Sequence, residues 1–271
     1  MPTLAAIQMV SSADVADNLA TAAHLVAQAA ARGATFISLP EYFCRMGTDD
    51  AGRREIAERA GDGPIQQALA GLARRHAVWL LGGTVPILAA GTDRVRNASL
   101  LFGPDGTLAA RYDKMHLFAF ADGDASYDEG TVLEAGSAPV SVLGAGLRVG
   151  LSVCYDLRFP ELFRALAFTP GQPPLDLICA PSAFTHATGE RHWELLLRAR
   201  AVENQCYVLA AAQGGVHADG RRTWGHSMIV DPWGDVVACV EEGEGIALAP
   251  FDSERMHAIR RRLPALVHRR L

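Results

Sequence analysis

Short, β-branched apolar runs alternate along most of this chain with segments whose apolar residues return every three or four positions. The first pattern predicts buried strands and the second amphipathic helices. Residues 3–9 read as a strand, and residues 12–31 as a helix with Gly33 just beyond its end. Residues 35–39 form a second apolar run, stopped by Pro40, and Pro64–His76 a second helix that leads into a strand over 78–86. Residues 97–102 and 107–112 flank Gly103-Pro104-Asp105-Gly106, a tight turn in which Pro and Gly supply the backbone angles. That hairpin means the sheet is not purely parallel. Strands resume over 147–153, 175–180 and 207–212, with helices over 160–168 and 191–205 between them. Residues 227–230, 236–239 and 245–249 predict a meander around the turn Asp231-Pro232-Trp233-Gly234, before a last helix over 253–262.

No shift of composition marks a linker, so the alternation predicts one α/β domain over residues 1–271, with a mixed sheet and outer helices. The longest stretch without a period, residues 117–136, is expected to be an irregular loop that walls an active site. The chain is 49% hydrophobic, and its 26 Gly and 14 Pro are scattered rather than gathered in a low-complexity tract. A net charge of −5, with one basic cluster at Arg260–Arg262 and His268–Arg270, argues against a nucleic-acid partner. No basic leader and no apolar run near the roughly 20 residues of a bilayer span is visible, so no membrane partner is expected. The five cysteines are widely spaced with no C-x-x-C pair, which fits a reducing compartment, the cytoplasm by default, and no structural metal.

Three apolar strands end abruptly in a reactive group: Glu41 after Leu39-Pro40, Lys114 after Tyr112-Asp113, and Cys154 after Ser152-Val153. Ligands of open α/β sheets collect beyond strand ends, where these groups can converge. Cys154 sits where a strand gives way to a polar turn, with Pro160 a suitable first helical residue. Such a thiol can face a substrate, with backbone N–H groups such as that of Tyr155 aimed at a developing oxyanion. The other cysteines lie in or beside apolar runs and read as structural. The nucleophile needs a base. His116 suits a Cys/His hydrolase, whereas Glu41 suits a base whose pKa is raised by burial. Lys114, in a chain poor in lysine and rich in arginine, can stabilise a thiolate and an oxyanion if buried. Arg158 either anchors a substrate carboxylate or braces the turn against Asp156 or Glu161, and Phe184 either lines the pocket or belongs to the core. The pattern His192-Trp193-Glu194 with Arg198, Arg200 and Glu203 predicts a helix packed by Leu195, Leu196 and Val202 and laced with ion pairs at an interface. A non-catalytic binding protein is the remaining alternative.

The segments Leu39-Pro40-Glu41, Tyr112-Asp113-Lys114-Met115-His116-Leu117-Phe118 and Cys154-Tyr155-Asp156-Leu157-Arg158-Phe159-Pro160-Glu161 resemble the nitrilase superfamily of carbon–nitrogen hydrolases, in that family's order and with Cys154 placed 40 positions after Lys114. Pro181-Ser182-Ala183-Phe184, the run from His192 to Val208 and the segment Trp224–Gly234 are similar to its Nit-type amidases, and to the deaminated-glutathione branch more than the ω-amidase branch. The resemblance implies an α-β-β-α sandwich that pairs through its helical face into a homodimer. It also implies a cofactor-free and metal-free hydrolysis of a small carboxylate-bearing amide to acid and ammonia, through a thioester on Cys154. A nitrilase or carbamoylase on the same trio is the rival within the family. It further implies a second active-site glutamate between Lys114 and Cys154: Glu129, 25 residues before the cysteine, fits that spacing better than Glu134. The segment Ala119–Asp124 departs from the family pattern, and this loop bears on the substrate.

Overall fold

A computed structural model describes residues 1–47, 51–122 and 125–270. Two mixed sheets lie face to face with helices on their outer sides, an α-β-β-α sandwich. The first sheet runs in the order Gly245–Pro250, Thr3–Gln8, Phe36–Ser38, Trp79–Leu81, Val95–Phe102, Val85–Leu88, and Leu108–Asp113 also pairs with Val95–Phe102. The second runs Val236–Val240, Ser227–Val230, Tyr207–Ala210, Leu177–Cys179, Leu147–Leu151, Val140–Gly144. In each, three central strands are parallel and the flanking pairs antiparallel.

The side-chain period of two assigns the layers. Leu4 and Ala6 of the first strand face the second sheet and join Val149, Leu151 and Val208 in one cluster. Ala5 and Ile7, between them, face outward and join Leu25, Val26 and Leu69 of the covering helices. Both faces of these strands are buried, which is why their sequence reads as a continuous apolar run rather than an alternation. On the far side of the second sheet, Leu162 and Phe163 of Pro160–Ala167 and Trp193, Leu197 and Ala201 of His186–Asn204 close the same cluster.

Several boundaries differ from expectation for identifiable reasons. The first helix starts at Val15, because Asp14 caps it by accepting the Asp17 N–H at 2.9 Å, and Ser12 instead accepts Met46 N–H. The run over 78–86 is two strands, Trp79–Leu81 and Val85–Leu88, separated by Gly82 and Gly83, which turn the chain beside Pro40. The helix expected from residue 191 begins at His186 and includes Thr188 and Gly189, whose N–H bonds Thr185 O at 2.8 Å; position 189 takes glycine because a Cβ there would meet Trp224 at 2.2 Å. Leu195 and Val202 of this helix are exposed, and its buried stripe is Trp193, Leu197 and Ala201. Residues 117–136 are not an irregular loop: Ala119–Asp122 pairs antiparallel with Ala125–Asp128, followed by a 3-10 turn, Glu129–Thr131. Gly123 and Asp124, part of the variant segment read from the sequence, lie outside the described residues. A second small hairpin, Gly214–Val216 with Arg222–Trp224, carries too few apolar residues to have been foreseen.

Candidate active site

The C-terminal ends of the parallel strands of both sheets point to one edge of the sandwich, and the chain delivers its chemistry there. Glu41 follows Phe36–Ser38, Cys154 follows Leu147–Leu151, the segment Pro181–Ala183 follows Leu177–Cys179, and Gln213 follows Tyr207–Ala210. Lys114 arrives from the antiparallel strand Leu108–Asp113, its backbone tied to Asn97 O and to Gly136 N–H.

Lys114 Nζ sits between two carboxylates, 2.9 Å from Glu41 Oε1 and 2.8 Å from Glu129 Oε2. All three side chains are almost wholly removed from water. Glu41 Oε1 also accepts Asn97 Nδ2 at 2.9 Å, and its backbone carbonyl accepts Gln213 Nε2. Glu129 accepts the Tyr42 hydroxyl at 2.7 Å and the Phe118 N–H at 2.8 Å, and the Arg53 guanidinium adds its charge nearby. The Cys154 thiol bonds with Glu41, takes the Ala183 N–H, and feels the Lys114 charge. The thiol therefore shares one buried cluster with base, cation and second carboxylate.

The backbone is held away from ordinary angles at this spot. Cys154 has φ +49° and Tyr42 φ +56°, both in the left-handed region that side chains with a Cβ rarely adopt. The Cys154 turn is fixed from behind. Its N–H donates to Pro181 O at 2.9 Å, and the buried Asp156 carboxylate accepts Val153 N–H at 2.8 Å and the Tyr112 hydroxyl at 2.7 Å.

Burial decides the proton inventory. It pushes the Cys154 thiol well above its usual value, the Glu41 charge adds to this, and Lys114 only partly opposes it. Burial likewise raises Glu41; Lys114 pulls it down and the charge of Glu129 pushes it back up. Burial also works against the Lys114 ammonium, but Glu129, Glu41 and Cys154 outweigh it and the amine is held well above the lysine range. Glu129 is lowered in spite of its burial, because Lys114 and Arg53 favour its anion. The resting arrangement is a protonated thiol beside a carboxylate of raised basicity, with a cation locked on.

This cluster floors a cavity of about 230 Å³ whose walls include Phe118, Phe120, Tyr155, Arg158 and Phe184. Of the residues singled out from sequence, Glu41, Lys114, Glu129 and Cys154 come together. Tyr155 lines the cavity with its ring, and its N–H belongs to the 3-10 turn Cys154–Arg158. Arg158 reaches the cavity as well, packed over Phe184 and 3.2 Å from His192 Nδ1. It does not brace the turn through Asp156, which bonds Tyr112, Val153 and His116 instead. Phe184 is both wall and core, since it packs on Trp193 with ring centres 5.0 Å apart.

Two candidates do not join. Glu134 pairs with Arg96 and accepts Thr92 at 3.2 Å, away from Lys114. His116 turns its ring onto Phe159 and its Nδ1 onto Asp156 at 2.7 Å. No histidine is among the cavity-lining residues described, so the Cys/His arrangement finds no support in the geometry. The sequence reading missed Tyr42, Arg53, Asn97 and Ala183. The signal for Asn97 was a buried amide in a strand that pairs with the one leading to Lys114; Ala183 contributes backbone alone and left none. Among the cysteines, Cys44, Cys179 and Cys206 are buried with thiols pushed up to about 12 or beyond, whereas Cys239, expected to be structural, is exposed.

The profile of the carbon–nitrogen hydrolase family matches residues 3–261. The chain belongs to that family. It is 41% identical over 284 residues to human deaminated glutathione amidase, covering 100% of this chain and 83% of that one. The crystal structure of the Caenorhabditis elegans NitFhit protein superposes with a TM-score of 0.90 at 37% identity, over 99% of this chain and 65% of that longer one. Saccharomyces cerevisiae Nit3, a member of branch 10 of the nitrilase superfamily, superposes at 0.89 with 31% identity, over 100% of this chain and 97% of its own. The protein is thus a hydrolase acting on non-peptide carbon–nitrogen bonds, on a nitrilase fold. Among the described residues, no group of three His, Cys, Asp or Glu could hold a metal ion, and no helix is long and apolar enough to cross a membrane.

Proposed function

We propose that this carbon–nitrogen hydrolase cleaves a small carboxylate-bearing amide through a thioester on Cys154, and that deaminated glutathione is its substrate. One observation carries the mechanism: a single ammonium, Lys114, bonded to two buried carboxylates beside a buried thiol. Glu41 takes the thiol proton as Cys154 Sγ attacks the carbonyl carbon; the C–S bond forms and the carbonyl electron pair becomes the oxyanion. Lys114 and the backbone N–H of Tyr155 stabilise that charge in a dry site. The tetrahedral centre collapses, the C–N bond breaks, and Glu41 returns its proton to the leaving nitrogen. Glu41 then activates the water that cleaves the thioester. Glu129 holds Lys114 in line and orients substrate or water.

Ammonia leaves only when the amide is primary. In deaminated glutathione the amide nitrogen belongs to a cysteinylglycine unit, so an amine leaves and needs room beyond the thiol. A cavity of about 230 Å³ suits that amine, and its Arg158 suits the α-keto carboxylate at the far end of the acyl chain. The room for a leaving amine, rather than Arg158, favours deaminated glutathione over an ω-amidase substrate such as α-ketoglutaramate, whose acyl part is the same. Free thiols at all five cysteines fit work in a reducing cytoplasm. We propose also that residues 1–271 act as one hydrolase domain. The exposed Leu195, Val202 and Trp233 support pairing of two copies through the helical face.

The test is a product screen across deaminated glutathione, α-ketoglutaramate, glutamine, a simple nitrile and a carbamoyl compound, with intact-protein mass spectrometry to catch the acyl-enzyme. Turnover of deaminated glutathione well above the rest, with its acyl group on Cys154, is expected. Full activity of Glu41→Gln or Lys114→Ala would overturn the mechanism, and preference for the nitrile or carbamoyl compound would overturn the substrate.

A further inference from the structure

The described lining of the cavity is rich in arginine. Among the described residues, Arg45, Arg53, Arg158, Arg221 and Arg222 line it beside the carboxylates Glu41 and Glu129, in a chain whose net charge is −5. The carboxylates are already bonded to Lys114. Arg53 lies over the Tyr42 ring at 4.2 Å and supports Glu129 with its charge. Arg45 bonds Glu55 and Gly52 O. Arg221 is committed to Asp219, whose carboxyl is held below its usual range in spite of partial burial, through the Arg221 N–H and guanidinium. Arg222 differs from these. Its recorded ion pair is with Glu242 at 3.6 Å, and both side chains face water, at 53% and 80% exposure. An exposed pair at that distance contributes almost nothing and is readily exchanged for another anion.

The hairpin that presents Arg222 is nevertheless fixed in place. His217, buried beneath it, bonds Ser11 O at 2.9 Å through Nδ1 and Thr223 Oγ1 at 2.8 Å through Nε2. Trp224 N–H donates to Phe184 O at 3.0 Å, and Thr223 bridges to Thr185, so the strand Arg222–Trp224 is locked against the Phe184 wall. Arg222 and Arg158 therefore stand at separate stations of one cavity, on a hairpin and on the nucleophile's own turn respectively.

We propose that Arg222 is a specificity-determining residue that binds a second carboxylate, carried by the leaving group of the amide. The substrate class this selects is a short acyl donor with a carboxylate at the end away from its scissile carbonyl, joined to an amine that ends in a carboxylate. The inference rests on the proposed amidase reading and sharpens it: Arg158 takes the acyl-side anion and Arg222 the amine-side anion. A guanidinium that gives up a screened, solvated partner for a substrate carboxylate at the rim of an apolar cavity gains charge-assisted hydrogen bonds it lacked.

The experiment uses two compounds, deaminated glutathione and its analogue with the glycine carboxylate capped as a primary amide. Their dissociation constants are measured by calorimetry on full-length Cys154→Ala protein, which binds without turnover. The free carboxylate is expected to bind about tenfold more tightly than the capped compound, the worth of one good charge-assisted contact. In the Cys154→Ala protein carrying Arg222→Gln the two compounds should bind alike, and Arg222→Lys should restore part of the difference. Raising the salt concentration should shrink the ratio in the parent and leave it unchanged in the Gln variant. Equal binding of both compounds to the parent, no measurable binding of either, or a preference that survives Arg222→Gln would each overturn the proposal. Failure of the amidase reading has a different signature: tight, Arg222-dependent binding to a wild-type enzyme that does not hydrolyse the compound.

Discussion

Replacing Glu129 by Gln preserves shape and removes charge, and its consequences follow from the contacts of one carboxylate. That group accepts Lys114 Nζ at 3.1 and 2.8 Å, the Tyr42 hydroxyl at 2.7 Å and the Phe118 N–H at 2.8 Å. A glutamine offers a single neutral oxygen, and its amide nitrogen confronts donors. Lys114 then turns toward Glu41 alone. A hydrogen bond to a charged group is worth about 1.5–3 kcal/mol. If it serves to hold Nζ where the oxyanion forms, kcat falls by about 10- to 150-fold at about 1.4 kcal/mol per tenfold. The pH dependence moves too. The oxygens of Glu41 and Glu129 lie 2.9 and 2.8 Å from one nitrogen, hence no more than about 5.7 Å apart. Two unit charges at that separation repel by about 3 kcal/mol at an effective dielectric near 20. Glu129 is one of the causes that raise Glu41, after burial itself. Removing its charge lets Glu41 lose its proton at lower pH, so the acid limb of kcat/KM moves to lower pH. Initial rates across the pH range, with a thermal melt to verify folding, decide the matter. A wild-type kcat, or a limb that stays put or moves upward, would refute the coupling of Glu129 to Lys114 and Glu41.

Gly83→Ala should be among the most damaging single-methyl changes, because φ is +53° and the added Cβ would meet Pro40 O at 2.0 Å. A loss of roughly 2–4 kcal/mol in urea unfolding is expected, with reduced kcat since Pro40 precedes Glu41; an unchanged midpoint would contradict it. Asp156→Asn removes the charge that accepts Val153 N–H, His116 N–H and the Tyr112 hydroxyl in a site shut off from water. It should cost roughly 3 kcal/mol of stability, read by the same assay, and a neutral result would show that the Cys154 turn stands without this hub.

The alternation of layers was legible because buried parallel strands leave continuous apolar runs, and helices that cover them leave a three-to-four-residue stripe. Residues 147–153 and Pro64–His76 are instances where pattern and structure nearly coincide. Where the reading failed, another force had overridden local pattern. Gly189 is a poor helix former yet sits inside a helix, since only a residue without a side chain fits under Trp224. The apolar residues of that helix divide between two faces: Trp193, Leu197 and Ala201 form its buried stripe, while Leu195 and Val202 face outward. The hairpin that carries Arg222 is held by His217 and by backbone bonds to residues far away in sequence, and no apolar period announces it.

The same distinction explains which parts of the site could be read. Glu41 and Cys154 each break a pattern sharply, as a charged or nucleophilic group after an apolar strand, and Lys114 stands out as the single lysine of the chain, after a strand of mixed polarity. Their partners do not. Asn97 is a lone amide in a strand, Tyr42 follows Glu41 like any loop aromatic, and Ala183 acts through its backbone N–H. A reactive group at a strand end is a local exception that sequence displays, whereas the field that tunes it is assembled from several segments. Glu41 shows the difference: its identity was readable from six residues, but its raised pKa depends on burial by the whole sandwich and on opposing charges at Lys114 and Glu129. The arginines of the cavity are a further step removed, since each is ordinary in its own segment and only their convergence on one space gives them meaning. Chemistry that resides in single residues is thus visible along a chain, and selectivity, which resides in their separation, requires the fold.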